Sequence, residues 1–168
     1  MTAMWTPPHG WEAITDYYGN PWDYLNNKLK WEMDNIVSVQ IPIPLPIAGL
    51  PGKYRKTIRC HRKLADNVAR LFVALKGAGF RGGDLFFGGD YNFRAKRGSS
   101  RLSMHTFGAA IDINPEQFPL ERHGDVANEQ DRHLIEVFEL FGWNYGGKSF
   151  EGDTFTRDPM HFQFATGY

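Results

Sequence analysis

Cysteine is almost absent from this 168-residue sequence, where Cys60 stands alone. A single thiol excludes an internal disulfide framework and a Cys-rich zinc site, so any metal must be held by histidines and carboxylates. Long hydrophobic runs are also lacking, and nothing approaches the roughly 20 apolar residues of a membrane-spanning helix. The N-terminus has no basic start followed by an unbroken apolar stretch, so the sequence predicts a protein made in the cytoplasm without its own export signal. There is no internal repeat or low-complexity tract, and formal net charge is zero.

Charge is nevertheless segregated along the chain. Residues 53–101 carry 13 Lys/Arg against 3 Asp/Glu, and residues 102–168 carry 4 against 11. Such a basic band can steer an anionic polymer, either nucleic acid or a phosphate-bearing wall polymer. The plainer reading is that the two segments fold together and neutralise each other. No nucleic-acid reading motif accompanies the charge, so a nucleic acid is not expected as a partner.

What the chain does have is glycine, proline and aromatics: 18 Gly, 10 Pro and 25 Phe, Trp and Tyr (13, 5 and 7). Turns should therefore be frequent. The aromatic-rich residues 1–35, with Trp5, Trp11, Tyr17, Tyr18, Trp22, Tyr24 and Trp31, are too apolar for a free tail and are expected to wrap on the core. The segment Ile36–Leu50 alternates apolar residues with Gln and Pro. Pro44 and Pro46 lack an amide donor, which predicts an edge strand or extended arm. Apolar positions Leu64, Val68, Leu71, Phe72 and Leu75 predict a helix from His61 to Ala78, and Leu134, Ile135, Phe138 and Phe141 predict a second over Asp131–Phe141. Short strands are expected at Leu85–Phe87, Ala109–Ile113 and His161–Phe164. That order implies an α+β fold, a small antiparallel sheet with helices packed on one face. The expected organisation is one domain, with residues 1–50 an extension packed on a core domain of residues 51–168.

Chemistry concentrates in two places. In the first, Ser103-Met104-His105 precedes a strand of small and apolar residues that contains Asp112. A carboxylate in such a strand needs a partner, because burying it alone costs several kcal/mol or shifts its pKa far upward. The partner is either a divalent cation or one of the arginines of the basic loop. In the second, Asp158-Pro159-Met160-His161 opens the last apolar strand. A histidine at a strand edge is more often a hydrogen-bonded surface group than a ligand. Together, however, two imidazoles and one carboxylate give the protein-ligand count of catalytic zinc, leaving a position for water, with Asp158 beside it to take a proton. The remaining histidines, His9, His61, His123 and His133, read as surface or helix residues.

Ser103, His105, Gly108, Ala110 and Asp112, followed distally by Asp158, Met160, His161 and Phe162, resemble the zinc D-alanyl-D-alanine carboxypeptidases. That family includes VanY-type and VanX-type peptidases and the L-alanyl-D-glutamate endopeptidases of phage endolysins. The resemblance covers about residues 55–164 and includes the six residues between His105 and Asp112. It implies one zinc per chain held by His105, Asp112 and His161, in a cleft, with Asp158 as general base. Many members have Glu at the base position, and the shorter Asp occurs among the endolysin-like enzymes. The Gly89-Asp90-Tyr91-Asn92-Phe93-Arg94 run matches the context of the family's carbonyl-binding arginine, which implies Arg94 in that role with Arg97 second, both Arg97 and Ser103 being expected to bind substrate. Where the family has Gly-Gly followed by Trp, this chain departs, and Trp143 or Phe150 is the expected aromatic wall of the cleft. The implied substrate is a peptidoglycan stem peptide, the implied state a monomer, and the implied place of action the cell wall, reached by release or non-classical export. The implied activity is L-Ala-D-Glu endopeptidase, with D-Ala-D-Ala carboxypeptidase as the alternative and an inactive zinc-stabilised wall-binding module as an alternative of another class.

Overall fold

The computed structural model describes residues 5–24, 27–96, 99–122, 130–148 and 156–168. Helices α1 (Gly10–Tyr18) and α2 (Lys28–Asn35) lead into a long hairpin of β1 (Ile36–Ile47) and β2 (Leu50–His61). Then come α3 (Ala65–Gly77), β3 (Phe87–Gly89), β4 (Ala110–Ile113), β5 (Glu121–Arg122), α4 (Arg132–Leu140), β6 (Asn144–Tyr145), β7 (Thr156–Arg157) and β8 (His161–Gln163). Six strands form one sheet in the order β2-β1-β3-β4-β8-β6, and β5 pairs with β7 in a separate ribbon. The class is α+β, as the sequence predicts. Within the main sheet only β1 and β3 run parallel. Among the described residues, no helix is long and apolar enough to cross a membrane.

Local chemistry explains the two helices legible in the sequence. In α3 the buried stripe Val68, Leu71, Phe72 and Leu75 recurs at three- and four-residue spacing. Asp66 in its first turn and Lys76 in its last complement the helix dipole. Helix α4 begins at Asp131, whose side chain accepts from the Leu134 amide at 3.1 Å, a helix N-cap. It ends where Gly142 takes a φ of +85°, which a Cβ would disfavour.

The segment Ile36–Leu50 departs from expectation. It is not an edge: β1 lies second in the sheet and the Gly- and Lys-containing β2, invisible to hydrophobic patterning, takes the edge position. Pro42 and Pro44 fall where the β1–β2 register slips, between Gln40 and Leu45, Pro46 lies in register with Tyr54 just before a second slip, and on its other side β1 pairs with β3 at Ile47. Missing amides therefore cost few ladder bonds. Pro42 and Pro44 face outward while Ile41, Ile43 and Leu45, which alternate with them, are buried. The hairpin turn, at residues 48–49, precedes the expected division between residues 50 and 51, which falls inside β2.

The N-terminal aromatic segment joins the core at the two chemical motifs. The Trp31 indole N–H donates to the Thr106 carbonyl at 3.1 Å, next to His105, and the Tyr18 hydroxyl donates to the Phe164 carbonyl at 2.8 Å, just past β8. Backbone bonds from Gly10 to Thr166 and from Thr166 to Pro8 tie the two ends of the chain together.

His61 is not a surface residue. It closes β2 inside the core at 1% exposure, with Nε2 3.0 Å from the Tyr18 carbonyl and Nδ1 accepting the Lys63 amide. Burial, reinforced by Lys63 and Arg62, pushes its pKa down to about 4 from an ordinary 6.5. Its proton is bound more tightly by the unfolded chain between those values, so stability falls as pH drops through that window. The expected loss is on the order of 3 kcal/mol by pH 4, at 1.36 kcal/mol per pKa unit. Urea unfolding of the wild type between pH 7 and 4 should show this slope and His61→Gln should flatten it; an identical slope in both would remove His61 as the cause.

Candidate metal centre

His105 and His161 reach the same point from opposite ends of the sequence motif. After Leu102 the chain makes a compact turn in which the Thr106 amide bonds to the Ser103 carbonyl and the Gly108 amide to the His105 carbonyl. Gly108 adopts a φ of +64°, and a Cβ there would lie 2.6 Å from the His61 amide nitrogen. The turn therefore requires glycine. It delivers the chain into β4, where Asp112 pairs directly with His161 of β8. The second turn is equally local: the His161 amide donates to the Asp158 carbonyl at 2.9 Å, with Pro159 between them in a position that suits its fixed φ.

Three donor groups converge there. Suitable atoms of His105, Asp112 and His161 all lie within 4.8 Å of one another. His161 Nδ1 is 2.9 Å from Asp112 Oδ1, and His105 Nε2 is 3.2 Å from Asp112 Oδ2. Ligands around a tetrahedral zinc, with bonds of 2.0–2.2 Å, sit about 3.4 Å apart. Both histidines are buried, at 2% and 7% exposure.

The imidazole tautomers are fixed by neighbours. His105 Nδ1 lies 2.6 Å from the Asp90 carbonyl oxygen, which can only accept, so Nδ1 carries the proton and Nε2 presents its lone pair. That Nε2 is buried and has no hydrogen bond. A buried, lone-pair-bearing nitrogen with no donor is the feature a cation would satisfy, and the residues fit zinc on that ground. Asp90 is itself anchored, its carboxylate accepting from Arg55 and from the Arg59 amide, each at 2.8 Å. On the other imidazole, His161 Nε2 is 3.1 Å from Gln163 Oε1. The Gln163 amide is oriented by donating to the Ala165 carbonyl at 3.3 Å, which turns His161 Nδ1 toward Asp112.

Electrostatics reinforce the arrangement. Burial would raise the Asp112 pKa, but the His105 and His161 imidazoles overcome it and hold the carboxyl well below the usual range. Burial likewise pulls His161 down, but Asp112, and then Asp158, carry it above the ordinary histidine value. The Asp158 carboxylate thus lies close enough to act on the His161 ring.

The other expected site residues are placed as follows. The Ser103 hydroxyl oxygen accepts the His105 amide at 3.3 Å, so it braces the ligand turn. Arg94 is held by its backbone: its amide donates to the Thr106 hydroxyl at 2.9 Å and its carbonyl accepts from that hydroxyl at 2.7 Å. Its guanidinium donates to the Ala95 carbonyl at 3.2 Å. Arg97, Phe150 and His123 lie outside the described residues. Trp143 is not a cleft wall: it is 1% exposed, and its indole N–H donates to Asn67 Oδ1 at 2.7 Å in the core. Cys60 is buried, and burial pushes its thiol up to about 12, which disfavours it as a nucleophile.

Asp90 and Gln163 are the residues that sequence reasoning missed. Gln163 carried a signal, because strand alternation puts positions 161 and 163 on one face. Asp90 carried none, since it acts on His105 through its carbonyl.

Residues 97–164 match a family model described as D-alanyl-D-alanine carboxypeptidase. The matched stretch contains His105, Asp112, Asp158 and His161, and begins three residues after Arg94. No curated protein matches the chain significantly.

Proposed function

We propose that this protein is a zinc peptidase that hydrolyses peptidoglycan stem peptides, cutting the L-Ala-D-Glu bond in preference to the terminal D-Ala-D-Ala bond. The observation that carries this reading is the buried group of His105 Nε2, His161 Nδ1 and the Asp112 carboxylate, with Asp158 on the same turn as His161. The match over residues 97–164 supports the peptidase class and is equally compatible with either bond.

When bound by these three residues, zinc supplies a Lewis acid that polarises a carbonyl and lowers the pKa of a water to about 7. The chain's own groups do the rest. Asp158, held beside His161, accepts the proton of the attacking water and returns it to the leaving amine. Arg94, fixed through Thr106 next to the ligand turn, donates to the carbonyl oxygen as negative charge grows there. Ser103 and Arg97 bind the peptide, Ser103 acting through the His105 turn. Asp90 and Gln163 keep each imidazole in the tautomer that a metal requires.

The test is digestion of purified peptidoglycan by the zinc-loaded protein, with the new termini identified by mass spectrometry. New D-Glu amino termini are expected. Release of D-Ala alone would establish the carboxypeptidase instead, and no release from zinc-loaded protein would leave a wall-binding module.

A further inference from the structure

A second concavity lies beside the ligand turn. Trp11, Trp22, Ser100, Arg101, Gly167 and Tyr168 line a partly open cavity of about 690 Å³, within the range of roughly 300–1,000 Å³ usual for small-molecule sites. We propose that it is a saccharide subsite, holding an N-acetylated amino sugar of the glycan strand from which the stem peptide hangs. This rests on the peptidase reading above, and it names the part of the substrate that reading leaves unassigned.

The lining suits a sugar ring. Trp11 and Trp22 each leave 38% of their surface exposed, an unusual cost for indoles in a chain that buries Trp31 and Trp143. Tyr168 stacks on Trp11 with ring centroids 5.4 Å apart and is held by its hydroxyl, which donates to the Leu102 carbonyl at 2.7 Å. Trp11 in turn meets Phe107 edge-on at 5.9 Å. These contacts fix the Trp11 and Tyr168 rings, so little of their ordering entropy is spent when a ligand docks. Pyranose rings present C–H faces that pack on aromatic surfaces, while their hydroxyl and acetamide groups need polar partners at the edge. Ser100 and Arg101 supply those partners, and the Lys96 ammonium lies 4.6 Å from the Tyr168 ring centre. The cationic rim suits the carbonyl oxygens of the sugar's acetamide and of its lactyl amide link to the peptide.

Position supplies the remaining argument. Arg101 is four residues from His105, so their Cα atoms are at most about 14 Å apart. The L-Ala-D-Glu bond is the first peptide bond beyond the sugar-linked alanine, whereas D-Ala-D-Ala lies three residues further, about 10 Å more of extended chain. A sugar held in this cavity therefore sits within a stem peptide's length of the metal-ligand turn. Trp11, Trp22 and Tyr168 all lie outside the matched residues 97–164, which gives the N-terminal aromatic segment a role in recognition.

The experiment uses the full chain loaded with zinc, and Trp22→Ala, with Trp22→Phe as the control that keeps an aromatic face. The peptide-free disaccharide N-acetylglucosaminyl-N-acetylmuramic acid is titrated by calorimetry, and kcat/KM is measured on a muramyl peptide and on the same peptide without sugar. Expected are saturable binding that weakens about tenfold or more in Trp22→Ala, the usual scale for an aromatic anchor, and recovery in Trp22→Phe. Zinc content and turnover of the sugar-free peptide should stay at wild-type level. Absence of disaccharide binding, equal binding by wild type and Trp22→Ala, or displacement of the sugar only by an oligothymidylate would overturn the subsite, even with peptide cleavage intact. Trp22-dependent sugar binding without cleavage of either peptide would sustain the subsite and sink the peptidase reading.

Discussion

Replacing Asp158 by Asn is expected to leave zinc content and fold unchanged while turnover falls by roughly 10²–10⁴-fold, the usual contribution of a positioned acid–base group. The substitution is nearly isosteric. The turn that carries the residue is held by backbone bonds, from the His161 amide to the Asp158 carbonyl and from the Asp158 amide to the Gly146 carbonyl, each 2.9 Å. Neither depends on the carboxylate. What is lost is a negative charge that can accept a proton and that helps raise the His161 pKa. Kinetics on a defined stem peptide, paired with metal analysis of the same sample, separates the two effects. Normal turnover in a zinc-loaded variant would show that another group takes the proton.

His105→Ala, Asp112→Ala and His161→Ala should each reduce bound zinc from one per chain to near none. Three protein ligands leave no redundancy, and losing a partner that merely orients a ligand already costs 10–100-fold in affinity, so losing a ligand should exceed about 100-fold. Asp112→Ala should be the most damaging, because that carboxylate faces both imidazoles at 2.9 and 3.2 Å and supplies the negative charge of the ligand set. Zinc affinity in the wild type should also fall as pH falls. The raised pKa of His161 means that a proton competes with the metal for Nδ1, most strongly below that pKa. Equilibrium dialysis against a zinc chelator across pH would measure both effects. Full occupancy in any one alanine variant would strike that residue from the site.

The candidate metal group was legible in sequence because each half is a local turn. Ser103 to Gly108 and Asp158 to His161 close on hydrogen bonds spanning two or three residues, a glycine at positive φ and a proline, all encoded within a few positions. Helices α3 and α4 were legible for the same reason, since a stripe at helical spacing and an Asp cap act within one turn of their neighbours. The sequence by itself therefore determined which residues can bind and which short segments present them. Only the tertiary structure decided what surrounds them. It placed β1 inside the sheet despite its prolines, because the ladder slips across Pro42 and Pro44 and again after Pro46. It buried His61 and Trp143 against carbonyl and amide partners distant in the chain. It chose the Asp90 carbonyl, 15 residues from His105, to fix the tautomer that leaves Nε2 bare. It also brought Trp11, Trp22 and Tyr168 from opposite ends of the chain around Arg101. Backbone carbonyls are identical at every residue, and pairing between remote segments depends on the shape of the whole core, so neither leaves a mark in residue spacing.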